Sequence, residues 1–181
     1  MRIENETWKF LISQLKAVLD ENGYTDWEVI KNYQPSIQGL RDKTIYLHRV
    51  SKRRIGTQGN TTVLDTTDGT WKTVDHWYDE TLIQVAAYKR IDVDNDSENT
   101  ATSEDVLDIL LAYINSARKV QDWKNAGYEV IKASNMRLLD YETDSGIQEK
   151  LPQFDFLLVQ EQSNLKKTGT ANTIELITKR V

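Results

Sequence analysis

Asp92, Asp94 and Asp96 occupy positions 1, 3 and 5 of a calcium-loop pattern, a spacing at which carboxylates can wrap a hard cation. The pattern stops there. Position 6 is Ser97, where the sharp turn needs Gly, and position 12 is Ser103, where a bidentate Glu is needed. The segment therefore reads as a solvated loop leading into a helix. His48 and His76 share no His-x-x-x-His spacing, and no Gly-x-Ser-x-Gly nucleophile motif accompanies them. Both read as surface or interface histidines. Gly56-Thr57-Gln58-Gly59 lacks the Gly-Lys-Ser/Thr ending of a phosphate loop and reads as a flexible turn. The absence of Cys removes thiolate catalysis, thiolate metal sites and disulfides together. The expectation is a protein without catalytic residues, metal or cofactor.

What remains is charge and aromatic surface. Arg49, Lys52, Arg53 and Arg54 form a basic run that suits subunit pairing or contact with DNA phosphates. Trp71 and Trp77 lie close by, and large aromatics are enriched where subunits meet. These six residues are the candidates for a subunit interface or a DNA path. Trp8 and Trp27 are expected in the core, and Trp123 is open between core and interface. The whole chain, at net charge -5 and pI near 5.1, repels a phosphate backbone, so bulk nucleic-acid binding is disfavoured.

The elements that must position these residues follow from periodicity. Trp8, Leu11, Ile12, Leu15, Val18 and Leu19 recur at steps of three and four, which predicts an amphipathic helix over 5–22, stopped by Gly23. Strands are expected over 26–33 and 43–50, joined through the turn chemistry of Gln34-Pro35-Ser36. Residues 51–76 are poor in apolar side chains, and Asp68-Gly69 favours a tight turn between two strands. Such a hairpin is marginal alone and is expected to project as an arm that packs on a neighbouring subunit. A strand over 77–91 runs on from it. Thr102 and Ser103, with Glu104 and Asp105, start a second helix striped by Val106, Ile109, Leu110, Tyr113, Ile114 and Ala117. Val120 and Trp123 extend that helix or lie on a short following turn. Strands are expected over 128–139, 153–162 and 173–178. The order predicts one domain over 1–181 of the α+β class: an antiparallel or mixed sheet, two main helices on one face, and a projecting hairpin. Residues 163–181 form a C-terminal strand or tail. With 181 residues, no run of 18 apolar positions and no secretory leader, the chain is expected to fold compactly in the cytosol with no membrane contact.

The segment Val29-Ile-Lys-Asn-Tyr33-Gln-Pro35-Ser-Ile-Gln-Gly39, followed by Thr44-Ile-Tyr46-Leu-His48-Arg-Val-Ser-Lys-Arg53, resembles the signature region of a tailed-bacteriophage neck terminator family. The entry Trp77-Tyr78 to Gln84, the helix start Thr102-Ser103 and the late Phe154-Asp155-Phe156 strand fit the same order. The chain departs at Arg54-Ile55-Gly56, where Arg-Tyr-Gly is commoner. The resemblance implies a non-enzymatic virion subunit made in the host bacterial cytoplasm. It implies a homo-oligomeric ring, usually of six copies, at the head-tail junction. Such a ring ends tail-tube growth and meets the tail tube protein on one side and the head connector, stopper or adaptor on the other. Genomic DNA would pass through its lumen without specific binding. A head-completion adaptor or stopper is the neighbouring possibility, and a DNA-binding accessory protein a more distant one.

Overall fold

The computed structural model describes residues 4–31, 40–67, 69–90, 100–142 and 148–167. Helix α1 spans Glu4–Glu21 and buries Trp8, Leu11, Leu15, Val18 and Leu19 on one side. It stops as the spacing predicts: Gly23 takes φ +87°, a conformation without steric cost only for glycine, and the Tyr24 amide donates back to the Leu19 carbonyl at 2.8 Å. The chain then enters strand β1, Glu28–Lys31, which runs parallel to the start of β2, Thr44–Asp65. The Tyr33-Gln34-Pro35 turn, the acidic loop at 92–98 and the strand expected at 173–178 lie outside the described residues.

β2 and β3, Thr70–Tyr88, pair antiparallel over nearly their whole length, from Thr44 with Tyr88 to Asp65 with Thr70. The expected hairpin is therefore present, with Gly69 at φ +66° in its turn. At about 3.3 Å per residue, β3 reaches roughly 60 Å, far longer than the helical layer can cover. Gly56-Thr57-Gln58-Gly59 is not a turn. It is an irregularity inside β2, where the register jumps from Ile55 with Tyr78 to Gly59 with His76, so that several residues oppose Trp77 alone. Gly56 at φ +73° makes that bend without strain, and such insertions increase local strand twist. A second shift lies between Arg49 and Ser51.

The second helix splits. α2, Ser103–Asn115, begins with a capping box in which Thr102 Oγ1 accepts from the Asp105 amide at 3.2 Å and the Asp105 carboxylate accepts from the Thr102 amide at 2.8 Å. Ser116 breaks helical geometry at ψ 130°, and Ala117–Asn125 forms a separate helix α3. The break lets Trp123 turn inward, where it is almost wholly buried. Its ring meets Phe10 at 5.5 Å, Tyr113 at 6.1 Å and Phe156 at 6.3 Å, all edge to face. Its indole N-H donates to the Tyr113 hydroxyl at 3.3 Å, which in turn donates to Gln14 on α1 at 3.0 Å. One side chain thus ties three helices to the sheet.

The strand expected over 128–139 is broken into β4, Tyr128–Ala133, and β5, Arg137–Glu142. Both pair antiparallel with β6, Gln148–Lys167, along the same line. Ser134 carries the ladder across the break: its amide donates to the Asp155 carbonyl at 2.6 Å, and its hydroxyl accepts from the Asp155 amide at 2.8 Å. Among the described residues six strands form one mixed sheet in the order β1-β2-β3-β6-β4, with β5 also on β6. The helices cover the face presenting Ile45, Leu47, Ile83, Val85, Phe154, Phe156 and Leu158, all essentially inaccessible. The α+β reading holds, with the short third helix added.

The arm differs from the expected hairpin in one respect. β6 stays in register with β3 from Gln153 opposite Ala86 to Lys167 opposite Lys72, so the arm has three strands rather than two. Residues 163–167, expected as part of a C-terminal strand or tail, are strand and continue β6 along the arm. This settles how a segment poor in apolar side chains remains ordered: its backbone groups are paired on both sides of β3.

Candidate functional site

The helical layer ends at the first turn of α1, but the sheet face beneath it continues. Beyond Ile83 the same face of β3 presents Thr81, Asp79 and Trp77, each successive pair two residues apart. On β2 the partners Lys52, opposite Thr81, and Arg54, opposite Asp79, fall on that face, as does Arg49 opposite Ile83. On β6 the inward stripe of Phe154, Phe156 and Leu158 runs on as Gln160 and Gln162. With Thr7 and Trp8 of α1 as the upper wall, these side chains enclose a recess of about 270 Å³.

The recess mixes charged and amide groups with the apolar surface of Trp8, Trp77 and Ile83, and its charges are partly matched. Lys52 Nζ lies 3.0 Å from Asp79, whose side chain is mostly covered, and the Arg54 guanidinium lies 4.7 Å from the centre of the Trp77 ring. Thr7 donates to Gln160 Oε1 at 3.1 Å, which leaves the Gln160 amide nitrogen turned away from the hydroxyl. That nitrogen and Gln162 Oε1 are both buried, and neither has a hydrogen-bond partner among the described residues. A buried polar group left unmatched costs about 1–3 kcal/mol. The wall thus holds one unused donor and one unused acceptor beside a cationic rim.

Of the six candidate residues, four converge here: Arg49, Lys52, Arg54 and Trp77. Arg53 does not. Its side chain points to the opposite face with Glu80 and binds that carboxylate at 2.6 Å, an arrangement that raises the guanidinium pKa further through the hydrogen bond and the charge of Glu80. Trp71 is also elsewhere, near the tip of the arm opposite Leu64, and both are about half exposed. Val63 shares the tip on the other face. Thr7, Asp79, Thr81, Gln160 and Gln162 escaped the sequence reading. Gln160 follows Phe154, Phe156 and Leu158 at the same two-residue period, and a polar amide after three inward apolar positions is a signal that the strand has left the core.

The histidines are far apart. His48 pairs with Gln84, eight residues along β3 from His76, which is about 26 Å at strand spacing. They do not converge on a common site. His76 Nδ1 stands 3.2 Å from Glu161 without hydrogen-bond alignment. Among the described residues, no group of three His, Asp or Glu side chains is placed to hold a metal ion.

The family model described as E217 gateway protein gp29 matches residues 6–170, from α1 through the arm to the end of β6. The chain belongs to the E217 gateway protein gp29 family. That name is one of a phage gateway protein of the head-tail junction, and it agrees with the resemblance to phage neck proteins carried by the segments around Tyr33, Tyr46 and Phe154. Curated proteins give no match to the chain. Among the described residues of this gateway-family chain, no helix is long and apolar enough to cross a membrane.

Proposed function

We propose that the chain is a structural virion subunit with no catalytic role, which closes a homo-oligomeric ring of six copies at the phage head-tail junction. In this reading the ring caps the tail tube, ends its growth and presents the other face to the head connector. The observation that carries it is the three-stranded arm. It extends past the helical layer and exposes Val63, Leu64 and Trp71 at its tip, a concentration of open apolar surface on otherwise polar strands. A contact between arm and body, repeated by rotation, closes into a ring.

The basic run supports assembly over DNA binding. Lys52 and Arg53 already face Asp79 and Glu80, so half of the run is matched within the chain and is not arrayed as open phosphate contacts. With a net charge of -5 on each copy, a lumen built from such subunits would let DNA pass without retention.

The test replaces residues 60–75 by Asn-Gly, closing the strands between the cross-strand partners Gly59 and His76. Light scattering of the full chain, with and without purified tail tubes, is expected to show a ring that the shortened arm abolishes. A ring that persists without the arm refutes the arm contact, and a full chain that stays monomeric on tail tubes refutes the terminator role. Labelling of this chain in virions separates a terminator at the tube end from a stopper or adaptor against the head.

A further inference from the structure

We propose that the recess between α1 and the root of the arm is a receptor site for an acidic peptide segment of an adjoining protein chain. The occupant is defined by what the walls lack. Lys52 is paired with Asp79, and the Arg54 guanidinium, held against Trp77 with no ion pair among the described residues, leaves the rim cationic and attractive to an anion. The buried amide nitrogen of Gln160 requires an acceptor, and the buried Gln162 Oε1 requires a donor. A phosphodiester offers acceptors only, and would leave Gln162 unmatched. A peptide supplies a carbonyl, an N-H and, from Glu or Asp, the carboxylate, within one residue. At about 270 Å³ the space is smaller than a usual cofactor pocket and is suited to one or two side chains. Trp77 gives the entering chain an apolar wall, and Arg54 is already held against that ring, which limits the freedom it must lose on binding.

The inference rests on the assembly reading only for the source of the peptide. Its test therefore uses the isolated full chain, ¹⁵N-labelled and dilute, with the capped peptide Ala-Glu-Ala as probe. The side-chain amide signals of Gln160 and Gln162 and the Trp77 indole signal are followed. Saturable shifts of these three are expected, with a dissociation constant on the order of millimolar, as suits a fragment of an interface. Replacing Glu by Gln in the peptide, or Arg49→Gln with Arg54→Gln on the protein surface, is expected to weaken binding about tenfold through loss of charge-assisted hydrogen bonds. Gln162→Leu, which fills the same space without the acceptor, is expected to weaken both peptides alike. Equal binding of the Glu and Gln peptides overturns the anion requirement. Saturable binding of inorganic phosphate or a short oligothymidylate at the same signals, as tight as the peptide, overturns the peptide assignment. Absence of any saturable shift at Gln160 and Gln162 overturns the site while leaving ring formation untouched, whereas a chain that binds the peptide but forms no ring retains the site and loses the terminator role.

Discussion

Replacing both Leu64 and Trp71 by Ser removes the cross-strand apolar pair near the tip of the arm and should weaken ring closure far more than folding. The two are 44% and 45% exposed. Full burial of a large apolar side chain contributes about 1.5–3 kcal/mol, so covering the open part of each on a neighbour contributes roughly 0.7–1.3 kcal/mol. Together that is about 1.4–2.6 kcal/mol per contact, or roughly 10- to 80-fold in association. Within the chain the pair contributes only about 0.2–1 kcal/mol beyond two alanines, because it lies on an exposed ladder already fixed by backbone hydrogen bonds. Sedimentation velocity over a dilution series reads the first quantity, and the urea midpoint of the dissociated chain reads the second. The expected result is a dissociation curve moved by about one to two decades with the midpoint nearly unchanged. Unchanged association would refute the arm contact. A loss of folding stability as large as the loss of association would show that the pair belongs to the chain's own core.

Trp123→Ala should cost about 3–5 kcal/mol in urea unfolding, since it empties the space between Phe10, Tyr113 and Phe156 and removes the indole donor to the Tyr113 hydroxyl. Thr102→Ala should cost about 1 kcal/mol by removing the cap of α2. Asp105 and Asp26 are held below the ordinary value of 3.8, Asp105 by the Thr102 amide and hydroxyl, Asp26 chiefly by the hydrogen bond from Lys43. Their folded values are lowered, so their contribution is complete above the unfolded value and disappears as pH falls through the folded one. Melting temperature should therefore drop on acidification below about pH 4, and less steeply in Thr102→Ala; an equal slope in both would refute the role of the cap. Arg53→Ala should leave ring mass unchanged and lower the urea midpoint only slightly, because the Arg53 end of the pair is open to solvent while Glu80 is mostly covered.

The fold was legible wherever the apolar pattern had a single period. The stripe of α1, the strand expected over 153–162 and the Asp68-Gly69 turn signal each led to the element found there. The misses fall where one side chain outweighs local pattern. Trp123 continued the helical spacing of α2, and only its depth in the core, which sequence spacing does not encode, explains why the chain breaks at Ser116 and restarts as α3. Ser134 interrupts a β-prone stretch, yet its hydroxyl and amide keep the ladder on Asp155, so one expected strand became two on one line. The site was half legible. Arg49, Lys52, Arg54 and Trp77 were singled out by type, but a two-residue period cannot tell Arg53 from its neighbours until the shift between Arg49 and Ser51 is known. That shift puts Lys52 and Arg54 into the recess and turns Arg53 away.

The same three strands make both the core and the arm, and this bears on how assembly and stability are linked. β2, β3 and β6 carry Leu47, Ile83 and Phe156 under the helices and, further along, Leu64, Trp71 and Lys167 at the arm. A long strand anchored at one end is held in direction by its buried half, so the arm leaves the body at an angle fixed by the core and not by contacts of its own. The insertion at Gly56–Gly59 then sets the twist with which the outer half proceeds. Ring closure needs such a fixed angle, because each copy must repeat the same rotation. The recess lies at the hinge of this arrangement, between the first turn of α1 and the root of the arm, where a segment from a neighbour would report on both at once.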